Sequence, residues 1–122
     1  MRINQLNHVG IHVADVHKSR AFYGQVLGLK EIPRPAFSFD GAWFEFGPAQ
    51  ELHIIDGRDE PTVSQPRGNH FALRVPNLNE AAAELRAKGI SMHGPQTRPD
   101  GVKQLFIRDP DGHTVELTEL PE

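Results

Sequence analysis

The sequence predicts an α+β fold built from two copies of a βαβββ unit, and three observations lead to this prediction. An Asn-His motif at the start of a strand occurs twice, and His8 and His70 are 62 positions apart. Later in each half, residues 52–54 (Leu-His-Ile) are matched by residues 115–117 (Val-Glu-Leu) at an offset of 63. A capped helical segment follows the first motif in both halves. Because a pattern that returns at half the chain length indicates a duplicated unit, both halves of the 122 residues should contain the same elements.

The first half is predicted to form a strand, a helix and three further strands. Apolar and polar residues alternate through residues 3–13, which predicts a strand with one apolar face and one face that carries imidazoles. Asp15 is placed to cap a helix over residues 16–27, and Gly28 is placed to end it. The remaining strands of this half are predicted over residues 29–34, 42–46 and 51–55.

The second half repeats this order after a linker. Residues 57–67 are rich in Gly, Pro and charge, so we expect one domain with a first module at 1–56 and a second at 68–122. Asn77 and Gly89 are placed to bound a helix over residues 78–88. The predicted strands of this half are 69–75, a strand that begins at 90–93 and breaks at Gly94-Pro95, then 102–107 and 114–120, with a loop at 97–101.

Composition narrows the classes of function. Hydrophobic residues make up 38% of the chain and charged residues 24%, which is typical of a globular protein. The formal net charge of −3, with mixed signs, argues against a nucleic-acid partner. No apolar run approaches the ~20 residues of a membrane span, and no signal peptide is visible. With no Cys, the chain has neither disulfides nor thiolate ligands, and we expect a cytoplasmic protein without a membrane partner.

Strand alternation sends four metal-capable side chains to the face that the helices leave open. They are His8, His53, His70 and Glu116. The repeat places His8 equivalent to His70, and His53 equivalent to Glu116. Polar groups on a covered sheet face are costly unless they are paired or bound to metal. Three imidazoles and a carboxylate suit a divalent Zn, Ni, Fe, Mn or Co ion and leave positions open for a substrate oxygen.

Other polar residues are predicted to have lesser roles. The remaining histidines are assigned to the pocket lining or an edge (His12), to the surface (His17 and His93) and to a turn (His113). Glu51 shares a face with His53 and could replace it as a ligand or act as a base. The candidate substrate pocket consists of Trp43, Glu45, Glu51 and Arg108. Phe37 and Phe39 could form a lid.

Four sequence blocks together resemble the vicinal-oxygen-chelate superfamily, which includes glyoxalases, bleomycin resistance proteins and extradiol dioxygenases. The blocks are Asn-His-Val at residues 7–9, Phe-Tyr-Gly-Gln-Val-Leu-Gly-Leu at 22–29, Asn-His-Phe-Ala at 69–72 and Asp-Pro-Asp-Gly-His-Thr-Val-Glu-Leu at 109–117. The resemblance implies one glyoxalase-like domain whose two modules form a curled mixed sheet around a metal cup, with helices outside. It assigns the metal to His8, His53, His70 and Glu116, and it implies a homodimer. His53 stands where glyoxalase I and the related epimerase usually have Glu or Gln.

The resemblance implies three functions, and the first is favoured. In this one, a metal-dependent lyase or isomerase chelates two adjacent oxygens of a small substrate and stabilises an enediolate, while Glu116, Glu51 or Glu45 shuttles a proton. The second is an extradiol-type dioxygenase that uses Fe(II). The third is a non-catalytic module that binds a drug or metabolite, although bleomycin binders lack the ligands that are present in this chain.

Overall fold

Residues 1–121 are described by a computed structural model. The chain divides into two compact units, Met1–Glu60 and Pro61–Glu122. In the first unit the elements are β1 (His8–His12), α1 (Val16–Ala21), a π-helical segment (Phe22–Val26), β2 (Lys30–Ile32), β3 (Gly41–Glu45) and β4 (Glu51–Ile55). In the second they are β5 (Phe71–Arg74), α2 (Leu78–Ala87), β6 (His93–Thr97), β7 (Lys103–Arg108) and β8 (Thr114–Glu119). This order confirms the predicted α+β class with two βαβββ units.

The sheet of the first unit is mixed, in the order β1-β4-β3-β2. β1 pairs with β4 in parallel, and the other neighbours are antiparallel. Leu52 and Ile54 of β4 are completely buried, as are Val13 and Tyr23 of the helical side. Alternation therefore works as the sequence indicates, because His53 between the two buried residues belongs to the opposite face.

The helical part of the first unit differs from its prediction. Its start is as predicted, because the Asp15 side chain accepts hydrogen bonds from the backbone of His17 and Lys18. The α-helix then ends at Ala21, and residues 22–26 continue as a π-helix rather than as α-helix to residue 27. Gly24 lies in this segment, where an added Cβ would be 3.4 Å from the ring of Phe44. The wider turn thus packs close against the sheet.

The sheet of the second unit has the equivalent order β5-β8-β7-β6, and again its first pair is parallel. Asn77 caps α2 through a hydrogen bond from the Glu80 amide. Gly89 follows the helix with φ of 72°, the left-handed conformation that favours glycine. Leu78 and Leu85 of this helix are buried. Among residues 1–121, no helix combines the length and the hydrophobicity needed to cross a bilayer.

The prediction for β6 was wrong. The sequence indicated a strand that begins at 90–93, a break at Gly94-Pro95 and a loop from Thr97, but the strand runs from His93 to Thr97 through both residues. Two circumstances make this possible. β6 is at the edge of the sheet, and its register with β7 shifts between His93 and Gln96. Proline is tolerated at a bulged edge strand because no ladder hydrogen bond from its nitrogen is needed there.

Candidate active site

In the first unit, sheet register places His53 between two other rings. On β4, His53 is paired with Gly10 of β1 and with Trp43 of β3. The indole of Trp43 stacks on the imidazole of His53, with centroids 3.7 Å apart and planes 4° apart. From the strand on the other side, the ring of His8 also stacks on His53, at 4.1 Å and 18°. A Cβ added to Gly10 would have no neighbour within 4 Å, so there is open space beside this stack.

A carboxylate also holds His53. Nε2 of His53 is 2.8 Å from Oε1 of Glu51, and the His53 side chain is only 15% exposed. Glu51 is paired across the sheet with His8 on one side and Glu45 on the other. Glu45 is 3.8 Å from the Lys30 ammonium. Three of the four predicted pocket residues thus lie on the same sheet face as two of the predicted ligands.

In the second unit, the equivalent register places Glu116 between Ala72 of β5 and Phe106 of β7. Glu116 is 6% exposed, and its Oε1 is 3.1 Å from Nε2 of His70. Its other oxygen accepts a hydrogen bond of 3.3 Å from Nε2 of Gln104. The rings of His70 and Phe106 meet edge to face at 5.8 Å. In both units, the candidate ligand on the strand inside the sheet, which we call the inner ligand, lies between a small residue and an aromatic residue.

The contacts of His70 leave one nitrogen suited to a cation. Its Nδ1 is 3.2 Å from the Gly68 carbonyl, which can only accept a hydrogen bond. On the other side of the ring, Nε2 is 3.1 Å from Oε1 of Glu116. A proton or a metal ion can bridge an imidazole nitrogen and a carboxylate oxygen at this distance. Two ligands bound at about 2.1 Å to one ion lie roughly 3.0–3.4 Å apart, and the 3.1 Å separation fits this range.

The two donors of the first unit need one movement before they could share an ion. A metal lies in the plane of each imidazole that binds it, and two nearly parallel rings have no common point of this kind. His8 is exposed, and besides its stack on His53 its ring has a hydrogen bond of 2.8 Å between its Nδ1 and Oδ1 of Asn7. Rotation of this ring would direct its Nε2 elsewhere while His53 keeps its place. The imidazole nitrogens and the carboxylate oxygens of the predicted ligands are donors that suit a divalent metal ion.

The predicted ligands thus occur as two pairs, one in each unit. Within residues 1–121, no cluster of three or more His, Cys, Asp or Glu side chains is arranged to hold a metal ion. The residues that contact the pairs, namely Asn7, Gly68 and Gln104, were not predicted from the sequence. Phe106 was not predicted either, although the offset of 63 that relates His53 to Glu116 relates Trp43 to Phe106 as well.

The predicted pocket residue Arg108 has a structural role. Its Nη1 donates to the carbonyls of Ser64 and Gly112, at 3.2 and 3.0 Å. It also borders a cavity of about 540 Å³ in the second unit, which is lined by Ile90, Met92, His93, Phe106, Arg108 and Thr114 among others. His93, predicted to be a surface residue, is exposed and borders this cavity. Phe106 is the residue that the cavity shares with the surroundings of His70.

Arg98 and Asp100, which follow β6, form an ion pair, and the pKa values of both groups are shifted. The pKa of the Arg98 guanidinium is raised, chiefly by its hydrogen bond to Asp100 and to a smaller extent by the charges of Asp100 and Glu116. The same hydrogen bond lowers the pKa of the Asp100 carboxyl. The charge of Glu116 is the smallest of these contributions to the raised pKa of Arg98.

Comparison with known proteins gives a consistent family. The glyoxalase/bleomycin resistance protein/dioxygenase superfamily matches residues 5–117. A lactoylglutathione lyase of Salmonella typhimurium is 32% identical over 97% of this chain and 94% of its own length. A protein of Arabidopsis thaliana named glyoxylase I 4 is 30% identical over 96% of this chain and 71% of its own length.

Solved structures agree with these relatives. A glyoxalase family protein of Bacillus anthracis is 31% identical with a TM-score of 0.85, and the match covers 99% of this chain and all of that one. A glyoxalase/dioxygenase of Nostoc punctiforme is 28% identical with a TM-score of 0.80, over 97% of this chain and 92% of that one. The chain therefore belongs to the glyoxalase/bleomycin resistance protein/dioxygenase superfamily.

Proposed function

We propose that this protein is a metal-dependent glyoxalase-like enzyme of the lyase or isomerase type, which acts on a small substrate with two adjacent oxygens. The observation that carries the proposal is the His70–Glu116 pair, whose Nε2 and Oε1 are 3.1 Å apart, a spacing that fits two ligands of one ion. Relatives that are 32% identical to this chain are named lactoylglutathione lyase, which supports the choice of reaction class.

The proposed ligands of the ion are His8, His53, His70 and Glu116, and the family resemblance assigns them to one ion, within a chain or across two chains. A divalent Zn, Ni, Fe, Mn or Co ion bound there would hold the two substrate oxygens and stabilise the negative charge that develops on them. We also propose that the protein is cytoplasmic and, from the resemblance, that it is a homodimer.

In this proposal Glu116 moves the proton. The reaction moves a proton from the carbon that carries the hydroxyl group to the neighbouring carbonyl carbon, and the hydroxyl proton passes to the former carbonyl oxygen. A hydroxyketone thus becomes an acyl compound with its hydroxyl group on the neighbouring carbon. A carboxylate takes the proton and returns it one carbon further along. Gln104 and His70 hold the two oxygens of Glu116, which fixes the direction from which it approaches. Glu51 and Glu45 are the other candidate bases on the open face of the first sheet.

Methylglyoxal and glutathione provide the first test, because they combine spontaneously into a hemithioacetal with two adjacent oxygens. We expect the metal-loaded protein to convert it into a thioester, followed by ultraviolet absorbance. Glu116→Gln should lower kcat by about 10²–10⁴-fold, the usual contribution of a positioned acid or base. His17→Gln, a change of an exposed residue on α1, is the matched control and should leave the rate unchanged.

Elemental analysis separates the alternatives. We expect metal in the purified protein and its loss in His70→Gln. Iron together with oxygen consumption on a catechol would instead assign the dioxygenase reaction. Protein that binds no divalent ion at micromolar concentration would contradict the enzymatic proposal and favour a binding module.

A further inference from the structure

The first unit contains a continuous series of aromatic rings that leads away from the proposed ligands. It comprises His8, His53, Trp43, Phe37 and Phe39, and each ring contacts the next. Beyond the stack on His53, the indole of Trp43 meets the ring of Phe37 at 6.2 Å. Phe37 in turn stacks on Phe39 at 5.1 Å, with planes 17° apart. We refer to Trp43, Phe37 and Phe39 as the aromatic strip.

Arg34 holds the outer part of this strip in place. Its guanidinium lies 4.9 Å from the centre of the Phe37 ring and 5.0 Å from that of Phe39, which are cation–π distances. Its Nη2 also donates a hydrogen bond of 2.7 Å to the carbonyl of Phe39. Two rings on a loop are thus fixed by one side chain, so their exposed parts are organised before any ligand arrives.

The strip is exposed where large apolar groups are normally covered. Phe37 is 46% exposed and Phe39 is 45% exposed. An apolar surface of several residues on a small protein typically marks a binding site. The strip begins at Trp43, which stacks on His53, and the open space beside Gly10 lies along the same face of the sheet. A compound whose oxygens are held near His53 could therefore extend along the strip.

We propose that the aromatic strip selects substrates that carry a planar aromatic group next to their two adjacent oxygens. This inference rests on the proposed function and specifies its substrate class. The aryl group stacks against Phe37 and Phe39, and Trp43 aligns it with His53. Aliphatic compounds with the same two oxygens lack this contact and bind more weakly. Phe37 and Phe39 are specificity residues, and Arg34 is a positioning residue that acts through them.

Benzohydroxamate and acetohydroxamate test the proposal directly. Both present two adjacent oxygens to a metal, and they differ in a phenyl or a methyl group. Calorimetric titration of the Ni²⁺-loaded protein gives both Kd values, and the two affinities for free Ni²⁺ correct for intrinsic chelation. After this correction we expect benzohydroxamate to bind about 3- to 10-fold more tightly, which is the effect of one aromatic stacking contact.

Variants assign the preference to the strip. The double variant Phe37→Ala/Phe39→Ala should bind the two hydroxamates equally while acetohydroxamate binding is unchanged. Phe37→Leu retains the apolar area without the ring, and it serves as the test if the double variant does not fold. Val63→Ala, which alters an exposed apolar residue of the second unit, should retain the full preference.

The outcomes separate this inference from the function on which it rests. A corrected preference that is absent in the natural protein, or equally large in the double variant, overturns the aromatic strip as a specificity element while the proposed chelation stands. Failure of both hydroxamates to bind the metal-loaded protein refutes the proposed function, and the specificity inference with it.

Discussion

Metal binding at His53 should be visible in the fluorescence of Trp43. This is the only tryptophan of the chain, so all of the indole emission comes from one position. Its ring lies 3.7 Å from that of His53 and nearly parallel to it. An ion bound to either imidazole nitrogen must lie in the plane of the His53 ring, at about 2.1 Å from the nitrogen. Titration with Ni²⁺ or Co²⁺ is the perturbation.

The expected magnitude follows from this geometry. An ion at about 2.1 Å from the nitrogen lies roughly 5 Å from the centre of the indole, once the stacking distance of 3.7 Å is included. Paramagnetic ions this close to an indole quench its fluorescence. We therefore expect Ni²⁺ and Co²⁺ to remove most of the emission, and Zn²⁺, which has a filled d shell and no redox chemistry, to alter it far less.

Three variants make the result interpretable. His53→Gln removes the ligand next to Trp43, and we expect it to raise the Kd by at least about 10–100-fold, the effect of losing even a supporting residue. Glu51→Ala removes the acceptor of His53 Nε2, and a similar weakening would identify it as the residue that orients this ligand. His12→Gln is the matched control on the same sheet face. Saturable Ni²⁺ binding without any change in Trp43 emission would refute His53 as a ligand.

Three further predictions concern stability and charge. Thr114 is 1% exposed and, within residues 1–121, its hydroxyl finds no hydrogen-bond partner, so Thr114→Val should raise the free energy of unfolding by about 1–3 kcal/mol in urea titrations. Gly41→Ala would place a Cβ 2.2 Å from the Ile54 carbonyl oxygen, and we expect a loss of about 1–3 kcal/mol by the same measurement. The Arg98 guanidinium lowers the pKa of Asp100 below its ordinary value of 3.8. This pair therefore stabilises the fold above that pH and ceases to do so as the pH falls through the lowered pKa, and NMR titration of Arg98→Gln should show the Asp100 pKa returning towards 3.8.

Much of the fold could be predicted because it depends on local signals. The caps Asp15 and Asn77 and the glycine that ends α2 act within a few residues of the helix that they bound. β6 could not be predicted in the same way. Its pairing depends on an edge position and a shifted register, which are properties of the neighbouring strand rather than of residues 93–97.

The sheet face of each candidate ligand also followed from the sequence, whereas its partner did not. Alternation sends Glu116 and His70 to one face whatever their rotamers are. That Gln104 reaches Oε2 of Glu116, and that the Gly68 carbonyl lies beside Nδ1 of His70, depends on side-chain torsions and loop geometry. Pattern analysis contains no information on these torsions.

The two pairs of candidate ligands occupy equivalent positions because the unit is repeated. Only the His70–Glu116 pair, however, is spaced to share an ion. Both inner ligands lie opposite a small residue and beside an aromatic one, since strand register is the same in both units. In the second unit the inner ligand is a carboxylate, which meets the imidazole end-on at 3.1 Å. In the first unit it is an imidazole, and the two rings stack face to face instead. In the proposed metal site, the presence of His rather than Glu at this one position would require His8 to turn before both pairs could bind one ion, whereas the 3.1 Å spacing of His70 and Glu116 already fits two ligands of one ion.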